Sequence, residues 1–301
     1  MRVFLTGATG FIGSHIVPEL LAAGHQVLGL ARSDAGAQSL AAAGVEAHRG
    51  TLEDLDSLRA GAAQVDAVIH TAFDHDFTNF VANCEKDRRA IEALGETLLG
   101  SGRPLVVTSG VGMGDAGHGE PATEDVFNTS HPNPRVASEV QSKAMLDKGI
   151  DVRVVRLPQV HDKVKQGLIS PYIEAARATR VAAYVGDGAN RWSAAHVLDV
   201  AKLYALVLDK GQKGARYHAV AEEGVTARDI AEVVAKGLGV PATSLSPEDA
   251  GAHFGWFAMF AGLDLRASST WTRAQLGWAP TGPGLIADLQ EMDYYLPAAA
   301  A

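Results

Sequence analysis

The stretch MRVFLTGATGFIGSHIVPELLAAGHQVLGLAR, residues 1–32, decides the fold. Residues 2–6 are an apolar, β-branched run of the kind buried on both faces of a parallel sheet. Gly7, Gly10 and Gly13 follow at once, and from Phe11 onward the apolar residues fall at helical spacing. Gly7 lets the chain reverse, Gly10 lets the backbone approach a pyrophosphate, and Gly13 lets the helix lie close against the strand. The N–H groups of Phe11, Ile12 and Gly13 would then face phosphates, where the helix dipole favours negative charge. Gly24 ends the helix and residues 26–31 supply the next strand. A glycine triplet alone would mark only a tight turn; with a strand before it and a helix after, it reads as a dinucleotide-binding turn.

Outward from this unit the pattern repeats. Helices are expected at 36–43, from about 50–54 through 60, at 80–100 and at 135–148; strands at 45–48, 65–70, 105–109 and 152–157. Such alternation predicts an α/β fold, a Rossmann-type doubly wound parallel sheet. Residues 1–163 form its dinucleotide-binding domain, to which the chain returns at about 190–212. A smaller C-terminal substrate lobe takes 164–189 and 213–301. Residues 110–119 are too glycine-rich for a helix, 193–208 read as a helix, and so does 224–238. Trp256, Phe257, Met259 and Phe260 cluster either as the cover of a substrate pocket or as plain lobe core. Residues 298–301 read as a frayed tail.

Bulk composition narrows the function. The 301 residues carry 47% hydrophobic and 20% charged side chains, as in an ordinary soluble globular protein. A net charge of −9 with no basic stripe excludes nucleic acid as a partner. No apolar run approaches the ~20 residues that span a bilayer, and Met1 leads straight into a strand rather than a secretory leader. The single cysteine, Cys84, allows no internal disulfide and points to a reducing cytoplasm. It lacks a metal-type partner spacing, and no residue is assigned to a metal.

The GxxGxxG spacing, the wording TGATGFIGSH and the order of elements resemble the extended or atypical short-chain dehydrogenase/reductases, the NAD-dependent epimerase/dehydratase group, over nearly the full length. Together with the turn, this resemblance implies cofactor contacts at Gly7, Gly10, Phe11, Ile12, Gly13, Arg32, Ser33, Thr51, Leu52, Thr71, Ala72, Phe73 and Pro158. It also implies a small-molecule substrate and a homodimer through the 80–100 and 135–148 helices. The 195–201 wording, with Arg191 before it, is similar to the segment that brings the family's chain back from its substrate lobe; arginines there hold substrate phosphates. Asp74, His75 and Asp76 follow the fourth strand at the sheet's ligand-binding edge, where a solvated polar loop is an equal reading.

Cofactor choice turns on the end of the second strand, Ala31-Arg32-Ser33. No carboxylate stands there to repel a 2′-phosphate, and Arg32 offers a planar fork to one, so NADP(H) is expected over NAD(H).

The resemblance breaks at the active site. Family members use a strand-end Ser or Thr with a Tyr-x-x-x-Lys helix motif, the tyrosine moving the proton. Ser109 fits the first position, but Arg135 stands for the tyrosine and Glu139 for the lysine; none of the six tyrosines has a lysine four residues on. The candidate catalytic residues are therefore Ser109, Arg135 and Glu139. Arginine does not deprotonate in proteins, though it can stabilise negative charge. One helical turn apart, Arg135 and Glu139 are equally expected simply to pair with each other. The leading expectation is an NADP(H)-dependent reductase of a small carbonyl, enone or imine. Alternatives are a nucleotide-binding redox sensor or scaffold, and a sugar-nucleotide epimerase or dehydratase, which suffers most from losing the base.

Overall fold

A computed structural model describes residues 1–295, so the tail expected at 298–301 lies outside the described residues. The first unit runs β1 (Arg2–Thr6), α1 (Phe11–Ala22), β2 (Gln26–Ala31), α2 (Asp34–Ala42) and β3 (Glu46–Arg49). It continues with α3 (Leu55–Ala63), β4 (Ala67–His70), α4 (Phe80–Thr97), β5 (Pro104–Gly110), α5 (Val136–Asp147) and β6 (Asp151–Leu157). Seven strands form one sheet in the order β10-β6-β5-β4-β1-β2-β3, where β10 is Arg216–His218. Each ladder is parallel, which places every strand's carboxyl end along one edge.

Burial on both faces explains the unbroken apolar strands. Val3, Leu5 and Val106 point into a core with Ile16 and Leu20 of α1 and with Val200, Leu203 and Val207 of α7 (Val197–Lys210). Phe4, Val68, Leu105 and Val107 point the other way, against Leu58 of α3, Leu94 of α4 and Met145 of α5. The strand order reverses between β1 and β4, and a crevice opens there at the carboxyl edge.

The smaller lobe holds β7 (Gln159–His161), α6 (Ile169–Thr179), β8 (Ala182–Val185), β9 (Arg191–His196), β11 (Glu222–Thr226), α8 (Ala227–Leu238), β12 (Ala242–Leu245), α9 (Pro247–Phe254), α10 (Ala258–Ala261) and α12 (Leu285–Glu291). Three strands pair as β11-β9-β7 and two as β12-β8. Phe254, Phe257 and Phe260 fill its core, while Trp256 stays 39% exposed and stacks on Phe77 of the large domain, centroids 4.7 Å apart and planes 5° apart. The aromatic cluster is thus lobe core at two positions and an inter-lobe contact at a third.

Three expectations are corrected. Residues 193–196 are strand, not helix: sandwiched between β7 and β11, they are buried throughout, and pairing overrides alanine's helix preference. The helix begins only at Val197, after His196 accepts the Leu198 N–H. Likewise 224–226 is the end of β11, and Thr226 caps α8 by accepting from the Asp229 N–H. Finally, β10 arises from a stretch expected in the lobe yet pairs with β6, and α11 (Thr270–Leu276) with Trp278 packs on the large domain's core. Within 110–119, Val111–Gly114 closes into a 3₁₀ turn.

Candidate functional site

The glycine turn sits at the switch point, and its three glycines have unequal jobs. Gly7 has φ +74°, and a Cβ there would lie 2.7 Å from Thr71 Oγ1 and 2.8 Å from the Ala72 nitrogen. A Cβ on Gly13 would lie 2.0 Å from the Gly7 carbonyl oxygen. The fold itself therefore demands both. Gly10 would meet only the Gly7 oxygen, at 3.2 Å, a tight contact that a shift of a few tenths of an ångström relieves, so the fold demands its small size far less. Gly10 is also the N-cap of α1, with no side chain to accept from the first-turn N–H groups and no acidic residue nearby in the helix. The N–H groups of Phe11, Ile12 and Gly13 thus remain available to an anion.

The end of β4 closes the crevice. Thr71 donates to the Thr6 carbonyl at 2.8 Å and the Ala72 N–H reaches Thr6 Oγ1 at 3.3 Å, which brings Thr71 and Ala72 beside the turn, with Phe73 next along the loop. At the other end of the crevice Arg32 is exposed. The Ser33 hydroxyl caps α2, accepting from the Gly36 N–H at 3.1 Å. Thr51 and Leu52 lie on the loop after β3, where Thr51 Oγ1 accepts from the Asp54 N–H. Sequence reasoning missed Arg49. The register sets it opposite Ala31, where it donates to the Arg32 carbonyl at 3.2 Å and pairs with Asp34 at 3.1 Å. Two guanidinium groups consequently flank the end of β2, a fact that only strand pairing reveals. Pro158 joins β6 to β7.

The expected Arg135–Glu139 pair does not form. Arg135, the N-cap of α5, points toward α4: Nη1 donates to Asp87 Oδ2 and to Ser138 Oγ, both at 2.6 Å, and Nη2 to the Thr108 carbonyl at 3.2 Å. Its guanidinium carbon lies 4.0 Å above the Phe73 ring. Glu139 faces the sheet instead and accepts from Arg156 through Nε at 2.7 Å and Nη2 at 2.8 Å, with Arg216 Nε at 2.9 Å. Each buried carboxylate has its own arginine, because an uncompensated buried charge costs several times what an exposed helical pair contributes. Arg156 also donates to the Thr123 and Val126 carbonyls, so Glu139 anchors the loop that follows β5.

Asp87 is the hub. His70 Nε2 lies 3.0 Å from Oδ1 and His70 Nδ1 lies 2.7 Å from Thr6 Oγ1, which ties β1, β4, α4 and α5 together. Burial alone would push the Asp87 carboxyl up; the Arg135 charge, His70 and the Ser138 hydroxyl outweigh it and hold the pKa at about 2. Burial pushes the Cys84 thiol up to about 11, which keeps it an inert thiol. Ser109 ends β5 with its hydroxyl buried and, among the described residues, unpartnered. A native buried donor without a partner needs a reason, and a bound reactant supplies one.

The polar residues after β4 divide. Asp74 pairs with Lys86 at 2.7 Å, and Asp76 holds the Thr78 and Asn79 nitrogens, so both brace this loop. His75 packs edge-on to Phe73 at 5.3 Å. Loss of hydration in the crevice, then the charges of Arg135 and Lys165, lower its pKa. His196 is a helix cap, and Arg191 is exposed with its backbone N–H on Asp264 at 3.0 Å.

Among the described residues, no group of three or more His, Cys, Asp or Glu is placed to hold a metal, and no helix is long and apolar enough to cross a membrane. The family model for the NAD dependent epimerase/dehydratase family matches residues 3–220. An uncharacterized protein of Schizosaccharomyces pombe is 44% identical over 296 residues, 98% of this chain and 100% of its own. A ketoreductase of a farnesylated dihydroquinoline oxide from Stigmatella aurantiaca is 27% identical over 72% of this chain and 67% of its own. The UDP-glucose 4-epimerase of Thermus thermophilus, solved with NAD, superposes with a TM-score of 0.75 over 98% of both chains at 24% identity.

Proposed function

Because this chain belongs to the NAD-dependent epimerase/dehydratase family, we propose that it is an NADP(H)-dependent oxidoreductase that reduces a small carbonyl, enone or imine. The observation that carries the nucleotide reading is Gly10: the fold demands its small size far less than that of Gly7 or Gly13, and it lies at an uncapped helix N-terminus on the sheet's switch point. The residues present therefore fit a dinucleotide. Gly10, Phe11, Ile12 and Gly13 would hold the diphosphate, and Thr71 to Phe73 would form the opposite wall. Arg32, with Arg49 beside it, supports the preference for a 2′-phosphate. When bound, the nicotinamide supplies a hydride.

The chain's own residues restrict the substrate. Arg135 is anchored to Asp87 and does not give up a proton, so it stabilises developing negative charge without neutralising it. Ser109 contributes one free hydroxyl donor. A simple ketone reduced to an alkoxide needs a proton at once; a protonated imine does not, and an enone leaves a delocalised anion that fixed donors can hold. The ketoreductase relative supports a carbonyl reductase over a sugar-nucleotide enzyme. The exposed Arg191 favours the second reading, a sugar-nucleotide epimerase. Assaying NADPH consumption with ketones, enones and imines, and epimerisation with UDP-sugars, separates the two. Turnover of enones or imines ahead of ketones is expected, and epimerisation without net NADPH consumption would overturn the reductase.

A further inference from the structure

The geometry points to Lys165 as a cation that closes over the cofactor's diphosphate, a contact the glycine-turn motif does not include; this rests on the nucleotide reading above. Lys165 lies on the loop between β7 and α6, and its ammonium sits 5.7 Å from the centre of the Phe11 ring, at the first residue of α1. The positive end of that helix faces the same crevice, with no acidic side chain in its first turn. Two positive ends brought together in the absence of a counter-charge are unfavourable by themselves and become favourable when an anion lies between them.

Carboxylates of this loop and of the opposite wall are committed elsewhere. Asp162 Oδ1 accepts the N–H groups of Val164 (2.7 Å) and Lys165 (2.6 Å), Asp74 is paired with Lys86 and Asp87 with Arg135. Among the described residues Lys165 has no ion pair, and a cation–π contact at 5.7 Å is a weak substitute. The charge of Lys165 is also felt by His75 on the loop after β4, so the ammonium bears on both walls of the crevice. A diphosphate crossing from the turn to the β4 loop would pass beneath it.

The loop is built to hold this position. Gln159 Nε2 donates to the Gln166 carbonyl, Gln166 Nε2 to the Asp162 carbonyl, and the Leu168 N–H to Gln159 Oε1. Gly167 takes φ +53°, and a Cβ there would lie 2.7 Å from Gln159 Nε2. The backbone of Lys165 is therefore fixed from both sides, and only its side chain needs to swing.

The test is calorimetric titration of NADPH and of ADP-ribose, which keeps the diphosphate and lacks the nicotinamide, into wild type, Lys165→Met and Lys165→Arg. Lys165→Met should weaken both ligands by the same factor, about tenfold, the loss of one charge-assisted contact. Lys165→Arg should recover most of it, and thermal melting should be unchanged in both variants. Loss confined to NADPH, or no loss for either ligand, overturns the role of Lys165 while leaving the nucleotide reading standing. Failure of the wild type to bind either ligand overturns the nucleotide reading itself and this inference with it.

Discussion

Replacing Glu139 by glutamine tests whether this residue anchors the fold or takes part in chemistry. The side chains of Glu139 and Arg156 are both fully buried, joined by two hydrogen bonds of 2.7 and 2.8 Å. An amide of the same shape can accept from one guanidinium N–H but turns its own N–H₂ toward another. Breaking a buried pair in this way costs about 3–5 kcal/mol. Arg216 can relax, since its side chain is 17% exposed and already lies over Phe127 at 4.4 Å. Arg156 cannot, being held by the Thr123 and Val126 carbonyls. The lower end, about 3 kcal/mol, is therefore expected. At about 2–4 °C per kcal/mol for a chain of this class, Glu139→Gln should melt roughly 6–12 °C lower. Circular dichroism melts with turnover measured well below the transition give both readouts. Unchanged melting combined with lost turnover would refute the anchoring role and return Glu139 to the reacting groups.

Gly10→Val should abolish NADPH binding with the fold intact, whereas Gly13→Ala should lower stability, because its Cβ would lie on the Gly7 carbonyl oxygen; tight binding by Gly10→Val would mean the turn is only structural. Arg32→Ala should weaken NADPH and leave NADH nearly unchanged, read by fluorescence titration; equal effects on the two would remove the 2′-phosphate contact. Ser109→Ala should lower turnover by about 10²-fold without changing melting or NADPH affinity, as when an oxyanion donor is removed; unchanged turnover on a working substrate would place the chemistry elsewhere. Burial and then the Arg156 charge lower the His218 pKa from 6.5 to about 3. The unfolded chain binds that proton first, so stability is full above pH 6.5 and falls as pH drops toward 3; at pH 5 the loss from this residue is about 2 kcal/mol. Urea unfolding at pH 8 and pH 5 measures it, and a smaller slope in His218→Gln is the expected signature.

The sequence alone determined the parallel sheet, the glycine turn and the absence of any Tyr-x-x-x-Lys. Those features live in local spacing: apolar runs, glycines at fixed offsets and an absent Tyr-x-x-x-Lys are legible without knowing any neighbour. It also placed Ser109 at the end of a strand and Arg32 just past the end of the second strand. Tertiary structure decided which charges meet. Arg135 and Glu139 are neighbours on paper, yet each finds a distant partner, Asp87 at 48 positions and Arg156 at 17, because burial ranks partners by how well they compensate a charge and not by sequence distance. Arg49 reached Arg32 only through the β2–β3 register, and residues 193–196 became strand only because β7 and β11 lay on either side. Lys165 gave no local signal at all; its meaning comes from a loop folded over a helix end 154 positions earlier, a proximity no one-dimensional pattern encodes.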